Sequence, residues 1–126
     1  MPFSKLALSE DILNAVAEKG YVTPTPIQTE VIPAVFKRRD ILAVARTGTG
    51  KTAGYTLPML EILKKDQSKH AQLRALVLVP TRELARQVNE SINSYAQFLP
   101  IHSEVIYGGK KMAHQIAQMA KKPSIL

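Results

Sequence analysis

The residues best equipped for chemistry form one short run at 45–52, Ala-Arg-Thr-Gly-Thr-Gly-Lys-Thr. A polyphosphate concentrates negative charge, so a protein site for one needs aligned N–H donors, a cation and room for backbone to approach closely. Gly48 and Gly50 lack Cβ atoms, which leaves that room and lets the chain turn N–H groups inward. Lys51 is placed to reach terminal phosphates as a point charge. The Thr52 hydroxyl is placed to coordinate Mg²⁺, whose octahedral shell is completed by phosphate oxygens and water. The general pattern G-x-x-x-x-G-K-[ST] asks for Gly at its first position, where this chain has Ala45; a small residue still permits the turn and narrows the kind of loop. Gly-Thr-Gly-Lys-Thr alone could be a helix start with a flexible approach. Here the apolar run Ile41, Leu42, Ala43, Val44 precedes it and a helical pattern follows, the strand-loop-helix setting in which N–H groups wrap phosphate. A nucleotide with magnesium is the expected ligand.

The elements that must position this loop alternate between helical and extended patterns. A helix is expected over about 10–19, with Ser9 as N-cap, Glu10 and Asp11 in the first turn and Gly20 as the stop. A second begins at Pro26 after Thr25 as cap, with Gln28 three residues on and Pro33 expected to kink or end it. A strand at about 40–45 feeds the loop, a helix over about 51–63 follows, and a polar stretch at 64–73 leads to a second strand at 75–79. Pro80 ends that strand. Thr81 can cap a long helix with apolar positions at Leu84, Ala85, Val88, Ile92, Tyr95 and Leu99. A third strand at about 103–107 stops at Gly108 and Gly109, a last helix carries Met112, Ile116 and Met119 on one side, and Ile125 and Leu126 begin another strand. Strands alternating with helices predict a three-layer α/β domain with a parallel sheet.

Composition narrows the classes further. At 126 residues the chain fits one domain, and its 45% hydrophobic and 21% charged residues suit a globular protein rather than a disordered or fibrous one. No cysteine is present, which excludes disulfides, cysteine-based zinc sites and thiol catalysis, and the three scattered histidines do not suggest a transition-metal centre. No apolar stretch approaches the roughly 20 residues that span a bilayer, and the N-terminus lacks a secretory pattern; a cytoplasmic location and no membrane partner are the expectation. The net charge of +7 divides unevenly, +1 over residues 1–63 and +6 over 64–126. That skew suits a polyanion surface. Lys64, Lys65 and Lys69 on a solvated loop, with Lys110, Lys111, Lys121 and Lys122 at helix ends, would equally account for it.

Upstream of the loop, Gln28 can serve as a capping-box residue, or its amide can donate to and accept from an adenine edge. Tyr21 offers a ring face for stacking. Four elements then occur in order: Tyr21 to Gln28, the loop at 45–52, Pro80-Thr81-Arg82-Glu83-Leu84-Ala85, and Gly108-Gly109. Together they resemble the first domain of DEAD-box RNA helicases over nearly the whole chain. Gly54-Tyr55-Thr56-Leu57-Pro58 is most similar to the bacterial RhlE-like subgroup. The resemblance implies an incomplete RecA-like P-loop NTPase domain over 1–126, with an adenine-recognition segment at 1–28, the phosphate strand-loop-helix at 40–63 and RNA-contacting strands and helices at 74–126.

Residue by residue, the resemblance implies that Gln28 reads adenine, Tyr21 stacks on it, Thr25 supports the contact, and Phe3 matches the family's isolated upstream aromatic. Ala45, Arg46, Thr47, Gly48, Thr49, Gly50, Lys51 and Thr52 match the ATP-binding loop, with Lys51 and Thr52 acting on the reacting phosphates and Thr52 on Mg²⁺. Pro80, Thr81, Arg82, Gly108 and Gly109 match segments that hold the RNA backbone. Each has a plainer reading: Phe3 as an apolar anchor, Thr81 as an N-cap, Arg82 in a surface ion pair with Glu83 or its neighbours, and the glycines as a strand-to-helix turn.

The family's Thr-Pro-Gly-Arg, Asp-Glu-Ala-Asp and Ser-Ala-Thr segments and its second RecA-like domain are not in these 126 residues. Glu10-Asp11, the only adjacent acidic pair, stands at a helix start. The expectation is therefore the first part of an ATP-dependent RNA helicase that hydrolyses ATP as an intact protein, with this piece inactive alone. A truncated, non-catalytic ATP- or RNA-binding module is the alternative, and a phosphate-loop ATPase acting on other substrates is a third reading. Strands flanking the phosphate-loop strand come later in RecA-like domains, so uncovered sheet edges are also expected.

Overall fold

The computed structural model of the chain describes every residue except 67–72, so Lys69 and most of the polar stretch expected at 64–73 lie outside the described residues. Among the described residues, a short 3₁₀ turn at Phe3–Lys5 is followed by five helices: α1 (Glu10–Glu18), α2 (Pro26–Phe36), α3 (Lys51–Lys65), α4 (Arg82–Tyr95) and α5 (Met112–Met119). All five expected helices form. The boundaries differ at α4, where Leu99 falls beyond the helix in a turn that packs against the core. Pro33 does not end α2, which continues to Phe36. Its Val31 and Ile32 are buried and α2 packs along α3, so burial outweighs the hydrogen bond that proline removes.

The N-terminus of α1 corrects a second expectation. Ser9 holds the capping position, yet its hydroxyl makes no cap bond and has no partner. Glu61 of α3 reaches across instead: its Oε2 accepts from the Ser9 N–H at 2.9 Å, placing a buried carboxylate at the positive helix end. A second tie, Lys64 to Asp11 at 3.0 Å, joins the same two helices. Lys64 and Lys65 therefore end a helix rather than decorate a loop.

The expected strands are only partly realised. Ile125 forms parallel bridges to both Ala75 and Ser103, so the order across this small sheet is 75, 125, 103. The Val77 N–H donates to the Leu126 carbonyl at 2.8 Å, and the Ser124 N–H donates to the His102 carbonyl at 2.9 Å. Pairing is limited to these bridges among the described residues. The segment at 40–45 pairs with no strand there, and its Leu42 and Val44 are 93% and 85% exposed. That is the uncovered edge anticipated for a phosphate-loop strand without its neighbours.

One core of buried side chains joins Ile12 and Val16 of α1, Ile32 of α2, Leu57 and Leu60 of α3, Val88 and Ile92 of α4, and Ile125. Helix α5 contributes none; Met112 and Ile116 on its apolar side are 69% and 62% exposed. Its attachment is polar. Glu104, nearly buried, takes a 2.6 Å contact from His102 Nε2 and a 3.0 Å hydrogen bond from Gln118, with Lys121 at 3.6 Å.

Two outcomes follow. Leu57 of α3 is fully buried in the core, and Leu57→Ala is expected to cost about 2–5 kcal/mol, read as a lower denaturant midpoint. Burial raises the Glu104 carboxyl, but the His102 hydrogen bond and charge, aided by Lys121, outweigh it and hold the group below its ordinary 4.5. Stability from that shift is present above the ordinary glutamate range and lost as pH falls through the lower folded value. Acid titration of unfolding should therefore show a shallower acid limb for Glu104→Gln than for wild type.

Candidate functional site

The phosphate loop stands open between the unpaired segment at 40–45 and the first turn of α3. Gly50, at φ +82°, occupies the position before that helix, and a Cβ there would collide with the Gln28 amide. Only glycine accepts both demands. The Lys51 ammonium turns back into the loop and donates to the Ala45 carbonyl at 2.6 Å. An incoming phosphate would exchange that one neutral acceptor for charged ones. The Thr49 hydroxyl donates to the Arg46 carbonyl at 2.7 Å and closes the loop on itself, leaving Arg46 and Thr47 exposed.

Thr25 and Gln28 tie the segment before α2 to this loop. The Thr25 hydroxyl donates to the Thr49 carbonyl at 2.7 Å, and Gln28 Nε2 donates to the Gly50 carbonyl at 3.0 Å. Gln28 Oε1 accepts from the Thr25 N–H at 2.9 Å, so the capping-box bond is made. With 4% exposure, the Gln28 amide spends both ends on backbone. Phe3, Tyr21, Thr25, Gln28, Lys51 and Thr52 all border one cleft of about 990 Å³. Phe3 is buried beneath it and Tyr21 is exposed at its rim.

Two neighbours were not anticipated. Tyr55 lies one turn beyond Thr52; burial raises the Tyr55 hydroxyl more than the neighbouring Thr52 side chain lowers it. The spacing of three along a helix was the available signal. Tyr95, at the far end of α4, is held up by burial and then by the charge and hydrogen bond of Tyr21, while the Lys19 ammonium lies 4.6 Å from its ring centre. Nothing in the sequence joined Tyr21 to Tyr95, because the pairing spans two helices.

A second groove, of about 370 Å³, lies between the N-terminus of α4 and the segment at 103–108. Pro80, Thr81, Arg82 and Gly108 line it. Thr81 caps α4, its hydroxyl accepting from the Leu84 N–H at 3.2 Å, so the plainer reading of this residue is realised. The ion pair suggested for Arg82 is not. Glu83 pairs with Arg86 at 2.6 Å, a bond that holds Glu83 below its ordinary range, and Arg86 also meets Glu90 at 3.2 Å. Among the described residues no carboxylate pairs with Arg82. Its guanidinium lies against Gly109 instead, where φ is +87° and a Cβ would stand 2.9 Å from Arg82 Nη1. Two segments far apart in sequence thus meet at a free cation.

The sequence profile of the DEAD/DEAH box helicases matches residues 25–126. The chain belongs to that family. It is 39% identical over 124 residues to the DEAD-box ATP-dependent RNA helicase RhpA of Helicobacter pylori, covering 98% of this chain and 24% of that protein. Among solved structures it is similar to a DEAD box protein from Methanococcus jannaschii, 40% identical with a TM-score of 0.88, covering 99% of this chain and 33% of that one. The RNA helicase Prp28 of Chaetomium thermophilum, solved with ADP bound, is 34% identical with a TM-score of 0.88, the match covering 98% of this chain and 31% of that one. The fold is therefore part of a helicase RecA-like domain, and the chain spans about a quarter of the length of its curated relative.

In a titration with a fluorescent ATP analogue, Lys51→Ala should weaken binding roughly tenfold or more through loss of a charged donor, with an unchanged circular dichroism spectrum.

Proposed function

We propose that this chain is the N-terminal part of an ATP-dependent RNA helicase, holding ATP and Mg²⁺ at 45–52 and single-stranded RNA backbone in the groove beside Arg82. The observation that carries the reading is the convergence of Thr81, Arg82 and Gly108 on one groove, with Gly109 against an Arg82 guanidinium unclaimed by any described carboxylate. A phosphodiester there would meet Arg82 and the positive end of α4. Contacts of that kind position a strand without reading its bases, which fits a helicase acting on many sequences.

For the nucleotide, the loop's fit rests on the cradle at Gly50 and on the ammonium already inside it. Lys51 would hold the terminal phosphates and the Thr52 hydroxyl would hold Mg²⁺, which when bound neutralises phosphate charge. Gln28 and Tyr21 are assigned to the adenine, with Thr25 and Phe3 in support. Because the Gln28 amide already bonds to Gly50, reading the base and shaping the phosphate loop are one linked task for this side chain.

The acidic pair that positions water and the arginines of a second RecA-like domain are assigned to the remainder of the intact protein. Glu10-Asp11 cannot substitute: it starts α1, with Asp11 bound to Lys64. Residues 54–58, Gly-Tyr-Thr-Leu-Pro, support a finer placement near the bacterial RhlE-like subgroup.

The full-length protein is expected to hydrolyse ATP faster when single-stranded RNA is added. Arg82→Ala should lose most of that stimulation and keep basal turnover; a full-length protein with these segments intact but indifferent to RNA would refute the reading.

A further inference from the structure

The extended segment that ends in Gly108-Gly109 is held by side-chain amides where a neighbouring strand would hold it. Residues 102 and 104 face the inner side: the His102 carbonyl accepts from Ser124 at 2.9 Å and the Glu104 N–H donates to Ile125 at 3.1 Å. Backbone groups alternate in direction along a strand, so Ser103 faces away from that pairing. Its N–H donates to Asn93 Oδ1 and its carbonyl accepts from Asn93 Nδ2, both at 3.2 Å. One asparagine thereby supplies the acceptor and donor of a missing peptide. The Ser103 hydroxyl adds a 2.7 Å bond to Asn89, one turn earlier on α4, and Ser103 is 2% exposed. Four residues on, at the same parity, the Tyr107 N–H donates to Gln115 Oε1 of α5 at 2.9 Å.

We propose that Asn93 and Gln115 are positioning residues for RNA, amides from two helices that fix both ends of the 103–107 segment and so set Gly108-Gly109 against Arg82. The inference rests on the RNA reading of that groove. Its physical basis is that no further ladder bonds are present at 105–107 among the described residues, while Gly109 at the tip lies so close to the Arg82 guanidinium that a Cβ would stand 2.9 Å from Nη1. Without the clamps the segment keeps its inner pairing at 102 and 104 but loses the constraint on its tip. Neither amide contacts the phosphate loop, so the effect belongs to RNA and not to ATP.

In the full-length protein, the affinity for a labelled single-stranded RNA would be measured by fluorescence anisotropy beside that for a fluorescent ATP analogue. Asn93→Ala and Gln115→Ala should each weaken RNA binding about three- to tenfold and leave ATP-analogue binding within about twofold. In an Arg82→Ala background the same changes should have little further effect, since the contact they organise is already gone. Unchanged RNA affinity, losses that add fully to that of Arg82→Ala, or a parallel fall in ATP-analogue affinity would each overturn the positioning role. Gln115 lies on a helix with no buried residue, so Gln115→Ala decides the matter even if Asn93→Ala fails to fold. If Arg82→Ala itself leaves RNA affinity intact, the RNA reading falls and takes this inference with it. Loss with Arg82→Ala but none with Gln115→Ala removes the inference alone.

Discussion

The Gln28 amide occupies the space that a side chain at residue 50 would need, and much of the nucleotide end of the molecule depends on that contact. It places the N-terminus of α2 against the N-terminus of α3, with the phosphate loop between them. Through its other end it caps α2, and Thr25 beside it grips the Thr49 carbonyl. A left-handed glycine, a cap and a loop tether are thus one device. Removing any part would leave buried polar groups without partners, which is costlier than losing a single exposed hydrogen bond.

Helix α4 organises the other half. Its N-terminus presents Arg82 to the groove, Val88 and Ile92 enter the core, and Asn89 and Asn93 hold the 103 segment. Its last residue, Tyr95, meets Tyr21 at the rim of the nucleotide cleft. One rigid element of about 21 Å at 1.5 Å per residue therefore runs from the candidate RNA groove to the candidate base platform. Leu42 and Val44 stand in the open beside the loop, a surface of the kind that proteins ordinarily cover.

Helices and the phosphate loop were legible because their signals are local. Thr25-Pro26, Thr81 and Gly50-Lys51 mark helix starts through bonds made within a few residues, and α1 to α5 appear where those marks and the apolar spacing put them. Strand pairing was less legible. The segments at 40–45, 75–79 and 103–107 each read as a strand in sequence, yet Ile125 takes Ala75 and Ser103 as partners and 40–45 has none among the described residues. Which runs pair depends on the arrival of distant neighbours, and a run of apolar residues does not encode its partner. The start of α1 differs for a related reason: the Ser9 hydroxyl makes no cap bond, and the contact made there is from the Ser9 N–H to Glu61, 52 residues away.

The ligand chemistry proposed for the loop is therefore written in residue types and spacing: glycines for close approach, a lysine for charge, a threonine for magnesium. Those requirements are met within eight consecutive residues. The second site was different. Arg82 and Gly109 are each ordinary in their own segment, and only folding brings the guanidinium over the glycine while Arg86 takes Glu83 away from it. Likewise the amides of Asn93 and Gln115 carry no signal until a strand edge needs them. Short-range geometry constrains the first kind of feature, whereas the second arises from which backbone groups remain unpaired once the chain has packed.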